Sequence, residues 1–138
     1  MLGCTGCADV SVRIHRDPAI KDLAIQVDVI PITESDKSAW EGTNVTQYWS
    51  RVMDGNGDPK AKNLQFSPGE SGDQKMKTSV KGVSYLVIIS DYPSAPAGRG
   101  MGANDPRMCI IPVDQAKHGM LGSGIKVRIR GDGIQPSQ

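Results

Sequence analysis

The three cysteines of this 138-residue chain are the side chains whose type and spacing most suggest chemistry. Cys4-Thr-Gly-Cys7 has the spacing of a metal-binding or redox pair, and Cys109 stands alone. A structural zinc site needs four ligands, yet the only histidines are His15 and His118, and there is no second close pair. A thioredoxin-type pair follows a strand and opens a helix, whereas this pair precedes the first predicted strand. We therefore predict no metal site and no cofactor.

The residues around Cys4 favour a lipid modification instead. Leu2-Gly3-Cys4 is similar to the end of a bacterial lipobox, in which small residues precede a cysteine that is acylated after signal-peptide cleavage. Only three residues precede Cys4, so the hydrophobic region of such a signal is missing from the chain and we expect it to have been removed. Two alternatives stay open: Cys7 is the acceptor, or the N-terminus is a plain flexible segment.

A disulfide between the other two cysteines is a further hypothesis. If Cys4 carries lipid, Cys7 and Cys109 remain in an oxidising compartment, where thiols tend to pair. The bond would tie the N-terminal strand to the rest of the domain and would close a loop of about 100 residues. The chain-entropy estimate for such a loop is roughly 4–5 kcal/mol. The alternative is that Cys109 is a buried free thiol, as unpaired cysteines usually are.

No set of catalytic residues emerges from the sequence. It contains no Gly-x-Ser-x-Gly, His-Glu-x-x-His or phosphate-binding motif. His15 lies on the outward face of a predicted strand, and His118 lies in a predicted loop. We therefore predict that the protein is not an enzyme.

The elements that hold these residues are predicted to be strands. Val10–Arg16, Leu23–Val29 and Ile125–Arg130 alternate between apolar and polar residues, which is typical of strands with one face on a core. Tyr85–Ser90 is uncharged and favours strand throughout, so it predicts a central strand that is buried on both faces. Further strands are predicted at residues 63–67, 74–80 and 107–113.

The period of the pattern changes near residues 35–50, which predicts a short helical excursion. Thr33 or Ser35 can cap its start, Gly42 ends its first turn, and Asn44 can cap a second one. With 16 Gly and 9 Pro between the apolar segments, the chain is predicted to be all-β, an antiparallel β-sandwich of seven or eight strands. It would span residues 10–134, between an N-terminal linker (1–9) and a polar tail (135–138).

The charge pattern argues against nucleic acid as a partner. The net charge is +1, and the basic residues alternate along several strands, so we expect them to be spread out rather than gathered in one patch. No apolar run reaches the 18 residues of a membrane-spanning helix.

The order of these features resembles the outer-membrane lipoproteins of type VI secretion systems, often called TssJ or SciN. The resemblance extends from about Val10 to Ile134, and its most specific part is a Pro-Gly-Glu turn. The shared features are a lipobox-like cysteine, two strands and an aromatic helical segment (Trp40, Tyr48-Trp49), the turn Phe66-Ser-Pro-Gly-Glu70, the Tyr85–Ser90 strand followed by Asp91-Tyr92, and the strands Arg107–Val113 and Ile125–Arg130.

Membership of this family would imply a transthyretin-like sandwich that is anchored by lipid to the periplasmic face of the outer membrane. Such a protein is a scaffold of a contractile injection complex and binds the periplasmic domain of an inner-membrane partner. The family's partner-binding loop follows the first strand, where this chain is shorter. The corresponding residues here are Asp17, Pro18, Ala19, Ile20 and Lys21.

A second functional hypothesis belongs to a different class. Trp40, Trp49 and the long loop at residues 91–106 would suit a periplasmic or surface lipoprotein that binds a small molecule or a glycan.

Overall fold

The computed structural model describes residues 9–91, 105–114 and 124–137. They form eight strands and two short helices. The strands are β1 (Asp9–Arg16), β2 (Ile25–Ile32), β3 (Lys62–Phe66), β4 (Gln74–Ser79), β5 (Tyr85–Asp91), β6 (Met108–Pro112), β7 (Gly124–Arg130) and β8 (Gly133–Ser137). The helices are α1 (Lys37–Glu41) and α2 (Val45–Met53).

The strands form two four-stranded sheets that pack face to face, so the predicted β-sandwich is confirmed. The β1 sheet has the order β4-β1-β7-β8, and the β5 sheet has the order β3-β2-β5-β6. Described neighbours are antiparallel apart from β1 and β7, which run parallel with Val12 beside Ile125. This parallel pair differs from the antiparallel expectation because alternation fixes the face of a strand but not its direction.

The main core lies between the two sheets and follows the predicted alternation. Every second residue of β1 and β7 is buried, and all of these are apolar except Arg16 at the end of β1; the inner faces of β2 and β5 oppose them. Burying one such Val or Ile side chain contributes about 1.5–3 kcal/mol. The side chains with almost no exposure include Val12, Ile14, Val27, Val29, Leu86, Ile88, Val127 and Ile129.

The predicted central strand is buried on both faces, as expected. Leu86 and Ile88 point into the main core, while Val87 and Ile89 point to the other side of the sheet. There α2 covers them with an amphipathic face, and Tyr48 and Trp49 form the cover together with Val45. A second, smaller core therefore lies under the helical excursion.

Two of the predicted capping residues hold the helical excursion, whereas Thr33 precedes a 3₁₀ turn without a side-chain cap bond and Asp36 is the N-cap of α1. The Asn44 side chain accepts a hydrogen bond from the Gln47 amide at 2.9 Å, which satisfies one of the free amides at the start of α2. Gly42 is the C-cap of α1. No helix in the described part of the chain is long and apolar enough to cross a membrane.

The polar tail predicted after residue 134 is largely an edge strand. β8 pairs with β7, and Ile134 is buried. The strand escapes detection because it has one apolar residue and contains Pro136, which an edge strand tolerates. Gly133 admits close packing here, since an added Cβ would lie 3.0 Å from the Pro106 carbonyl oxygen.

Candidate functional site

The turn after β1 and the Pro-Gly-Glu turn lie side by side at one end of the sandwich. The amide of Gly69 donates to the carbonyl oxygen of Lys21 at 2.7 Å. Gly69 has φ 78°, a conformation that side chains disfavour, which explains the glycine at this point of contact. Glu70 closes its own turn, because its carboxylate accepts from the Ser67 amide at 3.1 Å. The two turns therefore present one continuous surface.

A buried arginine joins these two turns from below. Arg16 is only 5% exposed, and its guanidinium donates to the Leu23 carbonyl at 2.8 Å, to the Ser67 carbonyl at 3.1 Å and to the Glu70 carbonyl. The Phe66 ring lies 5.0 Å from the guanidinium carbon, a cation–π distance. A buried charge is tolerated only when its donors are satisfied, and here backbone carbonyls satisfy it.

The turn after β1 contains all five predicted partner-binding residues. Asp17 caps a short 3₁₀ turn over Pro18–Ile20 by accepting from the Ala19 amide at 2.9 Å. Pro18, Ala19 and Lys21 are exposed, whereas Ile20 is partly buried against the main core. The surface that a partner could reach is therefore formed by its polar and small residues, with Ile20 holding the turn on the domain.

Comparison with known proteins gives likenesses in structure and none in sequence. No family profile and no curated protein matches the chain. The Serratia marcescens protein Lip, a membrane-bound component of the type VI secretion system, aligns with TM-score 0.64 and 12% identity over 95% of this chain and 96% of its own. The type VI secretion lipoprotein TssJ1 of Pseudomonas aeruginosa aligns with TM-score 0.61 and 9% identity, covering 94% of this chain and 95% of its own.

The chain has a TssJ-like fold. A structure of the C-terminal domain of the type VI secretion protein TssM from EAEC also aligns, with TM-score 0.67, 9% identity and coverage of 94% and 98%. The alignments span nearly the whole of each chain, so the likeness concerns the complete sandwich and not one motif.

The predicted lipid attachment lies outside the described residues, as do both Cys4 and Cys7. Cys109 lies on β6 and packs partly against the main core of the TssJ-like sandwich. Burial raises the pKa of this thiol to about 12. Because Cys7 is not described, the Cys7–Cys109 disulfide stays a prediction.

The two tryptophans differ in what they offer a ligand. Trp49 is 4% exposed, and its indole N–H donates to the Ser90 carbonyl at 3.1 Å. Trp40 is partly exposed and lines a polar groove of about 290 Å³ beside Arg51 and Asp58. That volume lies at the small end of ligand pockets, and such pockets are mostly apolar. The groove therefore gives the ligand-binding hypothesis little support, and residues 92–104 of its proposed loop lie outside the described ranges.

Sequence reasoning missed three buried charged residues, one of which is Asp105, 2% exposed and paired with Arg107 at 2.9 Å. The remaining two are Arg16 and Asp28. Arg16 alternates with Val12 and Ile14 along β1, and this position on the apolar side of the strand indicates burial. Asp28 is 4% exposed and accepts from the Tyr48 hydroxyl at 2.5 Å and the Asn63 amide at 2.8 Å. Burial, with this hydrogen bond, raises the pKa of Tyr48.

Residues 9–91, 105–114 and 124–137 contain no group of three His, Cys, Asp or Glu that could hold a metal ion.

Proposed function

We propose that the protein is a lipid-anchored structural component of a type VI secretion membrane complex, and that it binds its partner through the paired turns. The observation that carries this proposal is the joining of the Lys21 turn to the Gly69 turn by Arg16. These are the two features in which the sequence resembles the family's partner loop and its Pro-Gly-Glu turn. The TssJ-like fold gives the proposal its context.

The partner in this proposal is the periplasmic domain of an inner-membrane protein of the complex. Similar structures include a membrane-bound component of the secretion system and a type VI membrane complex. Assembly within such a complex requires an exposed and preorganised surface. The paired turns provide one, because the hydrogen bonds of Arg16 and Gly69 fix their backbone before binding.

The chain order fits an anchor and a partner site at opposite ends of one strand. Cys4, the proposed acylated residue, lies five residues before Asp9, where β1 begins. The partner turn follows Arg16 at the other end of this eight-residue strand, about 26 Å away at 3.3 Å per residue. An anchor in the inner leaflet of the outer membrane would therefore leave the paired turns exposed to the periplasm.

A binding measurement tests the proposal directly. The probe is the purified periplasmic domain of the TssM-type protein from the same genome, and the full chain is immobilised. We expect Lys21→Glu, which reverses an exposed charge on the turn, to weaken binding by about tenfold or more. Lys60→Glu, an equal change at an exposed site outside the paired turns, is the matched control. Equal affinities for both variants would reject the paired turns as the binding surface.

A further inference from the structure

The outer face of the β1 sheet is strongly basic. Its strand register places Arg13 directly between Lys75 and Lys126, and it places Arg128 beside His15. All the residues concerned alternate with buried core residues, so their side chains share the solvent side of one sheet. This surface, called the basic face below, carries Arg13, Lys75, Lys77, Lys126, Arg128 and Arg130.

The basic face separates charge across the molecule. It holds six of the chain's sixteen Lys and Arg residues, while its described strands and the residues next to their ends contribute four carboxylates, Asp9, Asp17, Asp73 and Asp132. Its net charge is therefore about +2 in a chain whose total is +1, so the remainder is slightly acidic. The expectation that basic residues are spread out is wrong, because pairing of β4, β1 and β7 aligns their charged sides.

This arrangement is unfavourable for the isolated domain. Residues directly opposite on neighbouring strands have Cβ atoms about 4.5–5.5 Å apart, and like charges at that distance repel. One carboxylate offsets part of this repulsion: Asp73 accepts from His15 at 2.8 Å and lies 3.8 Å from the Arg13 guanidinium. The row from Lys75 to Lys126 runs across three strands, so a complementary anionic surface would reduce the repulsion among its side chains.

We infer that the basic face lies against an anionic phospholipid surface. Three adjacent strands present these cations as a broad array, which suits many mobile phosphate headgroups better than one fixed ligand. Among the described residues, Met53 on α2 is the one large apolar side chain that is exposed, and it lies outside the β1 sheet. Contact would therefore be electrostatic, without an inserted apolar anchor from this sheet.

The anchor proposed above favours a membrane over an acidic protein as the occupant, and this step rests on the proposed function. Five residues from Cys4 to Asp9 reach at most about 18 Å when fully extended. A lipid on Cys4 would thus hold the start of β1, and with it the basic face, close to the bilayer. The β5 sheet and α2 would then face away from the lipid, and the paired turns would stay accessible at the side.

Vesicle co-sedimentation of the full chain without lipid tests this inference. The chain carries Cys4→Ser. The probes are vesicles of phosphatidylcholine alone or with about 30% phosphatidylglycerol, an anionic phospholipid. We expect binding to the anionic vesicles only. The apparent affinity should fall by about tenfold or more between 50 and 300 mM salt, because screening shortens the reach of surface charges.

A pair of charge-matched variants isolates the basic face. Lys75→Glu with Lys126→Glu lowers the net charge of the face by four, and we expect at least a roughly tenfold loss of vesicle affinity. Arg51→Glu with Lys60→Glu changes the total charge equally, at exposed sites on α2 and in a turn away from the basic face. The vesicle affinity of this variant should fall by less than about twofold. If thermal melting shows that the Lys75→Glu and Lys126→Glu variant does not fold, the milder pair Lys75→Gln with Lys126→Gln replaces it.

Two results would overturn the inference. Equal losses in the two charge-reversal variants would assign binding to total charge. Retention on heparin without any binding to anionic vesicles would assign the face to an acidic macromolecule. Neither result bears on the proposed function, because this chain carries no lipid and the assay contains no protein partner; that function fails separately, in the binding measurement with the periplasmic domain.

Discussion

Arg16 donates a hydrogen bond to the backbone carbonyl of Ser67 at 3.1 Å, across 51 positions of sequence. The bond connects the strand that would follow the lipid anchor to the turn that most resembles the secretion lipoproteins. A single buried cation thus organises the end of the sandwich where we place the partner. The rigidity of that surface depends on the bonds of Arg16 and on the Gly69–Lys21 backbone bond, and not on a regular element.

We predict that Arg16→Ala costs about 2–4 kcal/mol of unfolding free energy, because it leaves three partly buried carbonyls without their donor. Arg16→Lys should recover only part of this, since one ammonium cannot reproduce the spread donors of a guanidinium. Urea denaturation measures both. Arg13→Ala, on the exposed side of the same strand, is the control and should change stability by less than about 0.5 kcal/mol. A loss below about 1 kcal/mol for Arg16→Ala would contradict the structural role.

Much of the fold could be predicted because its strands are half-buried and alternate cleanly. The two-faced burial of Tyr85–Ser90 was also predictable from its uncharged run, as was the Asn44 cap from its position before an apolar turn. The neighbours of each strand were not, since nothing local indicates that β1 pairs with both β4 and β7. The basic face follows from those pairings. Since the sequence of each strand alone does not show which strands lie side by side, it does not predict that their charges gather on one face.

The candidate site could be predicted only in part, for a similar reason. The turn after β1 and the Pro-Gly-Glu turn were both indicated by sequence, the first through the family resemblance. Their contact was not, because the Gly69–Lys21 and Arg16–Ser67 bonds join segments about 50 residues apart. Arg16 itself ends an alternating strand, where a charged residue ordinarily turns to solvent.

Ile20 is predicted to contribute to stability, because it packs partly against the main core beneath the partner turn. Ile20→Asp should lower the unfolding free energy by about 1–3 kcal/mol, since it places a carboxylate against apolar side chains. Lys21→Glu, on the exposed side of the same turn, should leave the melting temperature nearly unchanged. If Ile20→Asp were as stable as wild type while losing the partner, Ile20 would be a direct contact residue instead.

Tyr48 is predicted to make the domain sensitive to alkali. Burial raises the pKa of Tyr48 above its ordinary value of 10.0. The raised value stabilises the fold fully below pH 10, and that stability is lost as the pH rises above 10, where only the unfolded tyrosine ionises. Above pH 10 the unfolding free energy of the wild type should fall by up to about 1.4 kcal/mol more per pH unit than that of Tyr48→Phe. Urea titrations between pH 8 and 11 measure the slopes, and parallel slopes would refute the prediction.

Cys4 is predicted to hold the protein on the membrane. We express the variants with an intact signal sequence and wash the membranes at about 300 mM salt, which screens electrostatic contact with lipid. Cys4→Ser should then move the protein from the outer-membrane fraction to the soluble periplasmic fraction, because the serine carries none of the acyl chains that stable anchoring needs. Cys7→Ser is the matched control and should fractionate as wild type does. Release by Cys7→Ser instead would identify Cys7 as the acylated residue, and retention of both variants would refute lipidation at either site.

Cys109 is predicted to be almost unreactive in the native state, whether or not Cys7 pairs with it. As a free thiol with a pKa of about 12 it would hold about one part in ten thousand of thiolate at pH 8, so a thiol reagent should modify it far more slowly than after denaturation. Counting thiols in denaturant without reductant then separates the two hypotheses. With Cys4 replaced by serine, the disulfide predicts none and the free thiol predicts two. If two are found, Cys109→Ala should cost only the lost side-chain packing, whereas loss of a bridge closing about 100 residues would cost roughly 4–5 kcal/mol.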